Sequence, residues 1–234
     1  YVAVSFPQST SYFAPGKAVV TGYPLRSVLY RANKEAARQR LGLLADVPVV
    51  LIMGGSRGAH SINNACAENL AELLAEAQII HISGTMDIGE LEEKQKQLPP
   101  DLRERYHLYA YLHEEMADAL AASDLVVARA GAATLAEFPA VGLPAILVPY
   151  PYSGQHQEAN ADYMVRNGAA HKLEDSHLGD QLLPLVKEML GSAAMLHEMS
   201  ANARRLARPD AARNIAALIQ QLATGKSIPA PIGG

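Results

Sequence analysis

The sequence predicts an α/β fold, a mostly parallel sheet with helices on both faces. Three observations predict it. Short apolar runs at 47–53, 124–128 and 144–149 alternate with longer helical stretches, the pattern of βαβ units. Glycines stand where strand and helix segments meet, at Gly42, Gly84, Gly142 and Gly168. Two glycine-rich segments, Gly54-Gly55-Ser56-Arg57-Gly58-Ala59 and Gly131-Ala132-Ala133-Thr134, each follow an apolar run and open a helix. Such a turn aims unpaired backbone N–H groups and a partial positive charge at an anion. Two of them suggest a phosphorylated ligand held from two sides.

The elements follow in order. Residues 2–6 and 19–21 read as short strands around a loop, and 22–26 as a turn. A short helix over 34–41 stops near Gly42. The strand at 47–53 leads to one helix over 59–77, with Ile62, Cys66, Leu70 and Leu73 at core spacing. A strand at 78–83, a polar amphipathic helix at 87–97 and a strand at 106–109 come next. Helix 114–122, strand 124–128 and helix 132–141 lead to strand 144–149. Helix 155–167 ends at Gly168, and 170–173 is the last strand. Helices at 177–190, 192–205 and 210–222 complete the chain, and 224–234, rich in Pro and Gly, reads as a loose tail. The opening Tyr1-Val2-Ala3-Val4 reads as mid-strand, so the chain is expected to be a piece of a longer protein.

Composition narrows the function. At 234 residues the chain can bury a proper core, and 49% hydrophobic with 19% charged residues is a globular balance. A net charge of −4 gives no reason to expect nucleic acid. No apolar run is long enough to span a membrane. Cys66 is the only cysteine, which excludes an intrachain disulfide framework and a cysteine-based zinc cluster.

Ligands of parallel sheets sit at the carboxyl ends of the strands. Four loops are expected there: both glycine turns, Tyr111-Leu112-His113, and residues 150–157. The first turn reads G-G-x-x-G, which is neither a dinucleotide fingerprint nor a P-loop. Ser56 either donates to a phosphate or caps the helix, and Arg57 either pairs with phosphate or faces solvent. Thr134 and Glu137 lie one helical turn apart. They form either a capping box or a pair in which Thr134 meets phosphate and Glu137 accepts two ribose hydroxyls. The amide and imidazole groups of His156 and Gln157 either suit sugar hydroxyls or are ordinary polar surface residues. Histidines are scattered without metal-ligand spacing, so no metal is expected. No Gly-x-Ser-x-Gly elbow is present.

Three segments carry a resemblance: Thr21-Gly22-Tyr23-Pro24-Leu25-Arg26, the Gly54–Ala59 turn, and the block 124–149 followed by His156-Gln157 and Asn160-Ala161. Together they closely resemble the MurG family. These are the UDP-N-acetylglucosamine:N-acetylmuramyl-(pentapeptide) pyrophosphoryl-undecaprenol N-acetylglucosaminyltransferases of peptidoglycan synthesis, serving cell wall biogenesis, shape and division. The resemblance covers about residues 19–222 and implies the C-terminal, donor-binding half of a GT-B glycosyltransferase, with a Rossmann-like sheet. It implies an inverting transfer of GlcNAc from UDP-GlcNAc to the C4 hydroxyl of a lipid-linked muramyl-pentapeptide. No cofactor is implied. Residues 1–22 would then be the end of an N-terminal domain and the crossover, 23–223 the UDP-sugar-binding domain and 224–234 a tail. By position, Arg26 would reach the donor diphosphate or sugar and Ser56 a phosphate. The backbone at Leu112 and His113 would read the uracil edge. Ala132, Ala133 and Thr134 would present N–H groups to the diphosphate, Glu137 would hold the ribose, and Gln157 with His156 the GlcNAc. The family usually has Asn where Tyr23 stands. No catalytic base is assigned within this chain, and membrane contact would come through the N-terminal domain, on the cytoplasmic side of the bacterial plasma membrane. The competing expectations are a glycolipid glycosyltransferase using UDP-glucose or UDP-galactose, and a non-catalytic nucleotide-sugar-binding module.

Overall fold

The computed structural model describes residues 1–54, 59–152 and 156–224. Strands β1 (Val2–Val4) and β2 (Ala18–Val20) pair in parallel as a separate two-stranded sheet, with Val2 opposite Ala18. A four-residue helix, α1 (Val28–Arg31), lies between the expected turn and α2 (Lys34–Arg40). Asn33 starts α2 by accepting the Ala36 N–H at 2.9 Å. Gly42 follows its end at a φ of +68°, a left-handed conformation that costs glycine nothing.

Six further strands form a wholly parallel sheet: β3 (Val49–Met53), β4 (Gln78–Ile82), β5 (Tyr106–Tyr109), β6 (Leu125–Ala128), β7 (Ala145–Leu147) and β8 (Ala170–Lys172). Their order is β5-β4-β3-β6-β7-β8. Every residue of β3, β4, β6 and β7 is buried. That is why β3, β6 and β7 read as continuous apolar runs, crossover helices covering both faces of a parallel sheet, while β4 buries Gln78 and His81 in hydrogen bonds. Alternate residues serve opposite cores. Leu51 and Ile80 pack with Leu120 of α7 (residues 116–122) and Phe138 of α8 (residues 134–141). Ile52 and Ile79 pack with Ile62 of α3 (residues 60–68), Leu74 of α4 (residues 70–76) and Val186 of α10 (residues 178–190).

The remaining helices are α5 (Ile88–Gln97), α6 (Pro100–Arg103), α9 (His156–Arg166), α11 (Ala193–Leu206) and α12 (Ala211–Ala223). One expectation fails here. The single helix over 59–77 breaks at Asn69, which has φ −110° and ψ 18°. The Asn69 side chain donates to the Ala65 carbonyl at 2.9 Å and its N–H turns to Cys66, so a local side-chain bond displaces the regular ladder.

The chain runs outward from β3 through β4 to β5, then returns to lay β6 against β3, with Val50 opposite Leu125. The winding direction therefore reverses between β3 and β6, and a crevice opens there at the carboxyl ends. At the other end, Asp124 accepts from Arg38 at 2.6 Å and from the Val49 N–H at 2.7 Å, with Lys34 as a further partner. This carboxylate fixes α2 and β3 at the foot of β6.

Candidate functional site

The crevice is a cleft of about 1010 Å³. It is lined by Met53, Gly54 and His60 around the end of β3, by Ile82 and Tyr111 from the ends of β4 and β5, and by Arg129, Gly131, Ala133, Thr134 and Glu137 after β6. Tyr150, Tyr152 and Gln157 after β7 and Asp175 after β8 complete the lining. Three of the expected loops thus meet at one cleft, the second glycine turn among them, and Gly54 and Ala59, which flank the undescribed residues 55–58 of the first turn, line it as well.

The second turn is built around the start of α8. The Ala133 carbonyl accepts the Ala136 and Glu137 N–H groups, each at 2.9 Å. The N–H groups of the first helical residues precede any intrahelical acceptor and are left for a ligand. Thr134 is the first residue of the helix, not its cap, so the capping-box arrangement does not form. Its hydroxyl donates back to the Gly131 carbonyl at 2.6 Å. Phosphate oxygens only accept, so in this arrangement the backbone meets the anion while the hydroxyl braces the turn. Asn160 of α9 braces it from behind, donating to the Ala130 carbonyl at 2.9 Å. At the far end of α8, Gly142 adopts a φ of +69°, and the Gly142 and Leu143 N–H groups return to Pro139 and Phe138.

Glu137 lies half-buried in the cleft wall. Burial raises its carboxyl above the usual range, opposed by the charge of Arg26, which the structure brings near enough to act on it. Arg26 itself is exposed. Gln157 accepts the Tyr150 N–H at 3.0 Å through its carbonyl oxygen, which leaves the amide N–H₂ to donate. The other expected residues lie differently. His156 and Ala132 are exposed, and neither is among the cleft-lining residues described. Leu112 is buried in the core, so any part it plays passes through its backbone. His113 is exposed and stands edge-on to Tyr111 with ring centres 4.7 Å apart. Ser56 falls outside the described residues.

Two groups were not singled out by sequence. Arg129 donates to Asp175 and, at 2.7 Å, to Ser61, and its guanidinium lies 5.2 Å from the Tyr150 ring centre. A cation closing an apolar strand was the available signal for Arg129, while Ser61 and Asp175 carried none. The second group is a buried polar chain. Tyr106 OH donates to His81 Nδ1 at 2.8 Å, and His81 Nε2–H to Asn63 Oδ1 at 3.0 Å. Asn63 Nδ2 donates to Asp87 at 2.6 Å, and Asp87 accepts from His60 Nδ1 at 3.0 Å on the cleft wall. Burial pushes His81 down to about 4 against the opposing charge of Asp87, so the ring is neutral at ordinary pH.

The model of the glycosyltransferase family 28 C-terminal domain matches residues 49–215. The chain belongs to that family. The glycosyltransferase family 28 match begins at β3 and takes in the whole six-stranded sheet and both glycine turns. Arg26 lies before it, so its place near Glu137 is a finding of the structure alone. Two curated relatives are each a UDP-N-acetylglucosamine–N-acetylmuramyl-(pentapeptide) pyrophosphoryl-undecaprenol N-acetylglucosamine transferase. The one from Roseiflexus sp. (strain RS-1) is 42% identical over 92% of this chain and 53% of its own length. The one from Caldanaerobacter subterraneus subsp. tengcongensis is 38% identical over 94% of this chain and 61% of its own. The chain thus spans little more than half the length of these relatives. Among solved structures, MurG of Acinetobacter baumannii is similar with a TM-score of 0.72 and 29% identity, over 94% of this chain and 60% of that one. The lipopolysaccharide glycosyltransferase WaaG shares the fold, with a TM-score of 0.62 at 19% identity over 91% of this chain and 59% of that one.

Proposed function

We propose that this chain is the donor-binding half of an inverting N-acetylglucosaminyltransferase. It takes GlcNAc from UDP-GlcNAc and passes it to the C4 hydroxyl of a lipid-linked muramyl-pentapeptide. One observation carries the reading: the glycine turn that opens α8 lines a single cleft where the sheet reverses direction, together with Gly54 at the end of β3, a half-buried carboxylate and a free amide. The diphosphate lies against the first N–H groups of α8. Glu137 accepts the ribose hydroxyls and Gln157 donates to the sugar. The donor site occupies residues 23–223, and residues 1–22 lead in from a preceding acceptor-binding domain that also meets the membrane surface on its cytoplasmic side.

The acceptor oxygen attacks the anomeric carbon from the face opposite the leaving group, and the bond to the β-phosphate oxygen breaks as UDP leaves. Negative charge grows on that phosphate in the transition state. N–H groups fixed beforehand, with Arg26 near Glu137, stabilise it without reorganisation, and removing one such donor typically costs ~3–4 kcal/mol. Proton removal from the acceptor is assigned to no residue of this chain. The names of the two relatives support the donor, and the place of the α8 glycine turn beside the sheet's switch point supports where it binds.

Calorimetric titration of this chain with UDP, UDP-GlcNAc and UDP-glucose tests the reading. Binding of UDP and a preference for UDP-GlcNAc over UDP-glucose are expected, with no transfer by the chain alone. No UDP binding overturns the nucleotide site. Equal or better binding of UDP-glucose favours a glycolipid enzyme, and turnover by the isolated chain refutes the division of labour.

A further inference from the structure

We propose that Asp175 is a positioning residue which keeps the Arg129 guanidinium in the cleft lining neutralised, so that this cation is not a diphosphate anchor. The inference rests on the nucleotide reading above. The Arg129 side chain is only 11% exposed and that of Asp175 only 21%. Arg129 Nη1 donates to Asp175 Oδ1 and Nη2 donates to Ser61 Oγ at 2.7 Å. Ser61 Oγ donates in turn to the same Asp175 oxygen at 2.7 Å. The three groups close a ring, and every link in it is a hydrogen bond with a defined donor.

The ring joins three separate parts of the fold: the residue after β6, the first turn of α3, and the link before α10. Nη1 also lies 3.3 Å from the Val148 carbonyl and 3.4 Å from that of Pro149, and the Tyr150 ring stacks near the guanidinium. The side chain is thus engaged by acceptors on the side of β7 and α3. A lone cation in a half-buried cleft would attract a diphosphate over several ångströms. A cation in contact with a carboxylate presents a dipole, whose field falls away faster. The cleft therefore binds its anion with backbone N–H groups and Arg26. The compensated arrangement also limits how tightly the leaving UDP is held.

Charge and shape can be separated by a cycle of variants, titrated with UDP at low and high salt. Asp175→Asn keeps the size and an acceptor but frees the cation. UDP should bind roughly fivefold tighter at low salt, with a steeper salt dependence. Arg129→Met leaves the carboxylate uncompensated and should weaken UDP. The double variant should return to within about twofold of the unsubstituted chain with its original salt slope, as paired charges cancel. Asp175→Glu, which preserves charge, should bind as the unsubstituted chain does, and circular dichroism checks that each variant is folded. A merely structural role would lower affinity without changing the salt slope, and that result overturns the proposal. So does a double variant as weak as Arg129→Met, because Arg129 would then be a direct anchor. If the unsubstituted chain binds no UDP, the nucleotide reading falls and this inference with it. Binding without any response to Asp175→Asn removes this inference alone.

Discussion

Glu137→Gln tests the ribose contact most directly. The carboxylate can accept two hydroxyl bonds with charge assistance, each worth about 1.5–3 kcal/mol, whereas the amide offers one neutral acceptor. Glu137 is half-buried, so little water competes, while the neighbouring Arg26 is exposed and its influence is screened. A net loss of about 2 kcal/mol corresponds to UDP binding about 30-fold weaker. Calorimetry with UDP and with 2′,3′-dideoxy-UDP separates the causes, because the variant should lose nothing further once both hydroxyls are gone. Equal UDP affinity in the two proteins refutes the contact, as does a loss that persists in full with the dideoxy ligand. The pH dependence has a definite sign. Burial raises the Glu137 carboxyl, and the charged form is the acceptor, so UDP affinity falls as pH drops through that raised value. The glutamine variant should show no such fall. For stability the sign is opposite. A raised carboxyl is a cost that is present above its folded pKa and absent below its unfolded one, so the variant should be at least as stable at neutral pH.

Two further predictions concern the frame around the cleft. His81 falls from 6.5 to about 4, so its contribution is complete above the unfolded value of 6.5 and is lost as pH falls toward 4. Urea unfolding between pH 7 and 4.5 should show about 2 kcal/mol of loss from this group, and His81→Gln should flatten that part of the profile. Gly142→Ala should cost more than Gly42→Ala. Both sites have positive φ, +69° and +68°, but a methyl at 142 would lie 2.5 Å from Arg204 Nε while 42 faces open space. The backbone strain is about 1–2 kcal/mol in each, and urea midpoints should place Gly142→Ala clearly below Gly42→Ala.

Much of this architecture was legible because it rests on periodicity and punctuation. The apolar run ending at Met53 is buried throughout, and Gly42, Gly142 and Gly168 all stop helices with positive φ. The convergence of three loops followed from the parallel sheet, and Glu137 and Gln157 followed from their place at its carboxyl ends. What escaped has local or long-range causes. The helix after the first glycine turn looked continuous because its apolar spacing continues through Asn69, and only a side-chain bond back to Ala65 breaks it. Short α1 and α6 bury too little to leave a periodic trace. Arg129, Ser61 and Asp175 belong to different crossovers, and no one-dimensional pattern shows that they meet.

The pairing of β3 with β6 also has a kinetic consequence. Asp124 and the Val49 N–H that it binds are 75 positions apart, and no hairpin shortens the search. Closing so large a loop spends chain entropy well before the contact repays it, which makes all-parallel sheets slow to assemble. The cleft does not exist until that closure is made. Nucleotide capture should therefore report the final step of assembly, and a bound nucleotide should slow the reverse process, holding these two central strands together from one end.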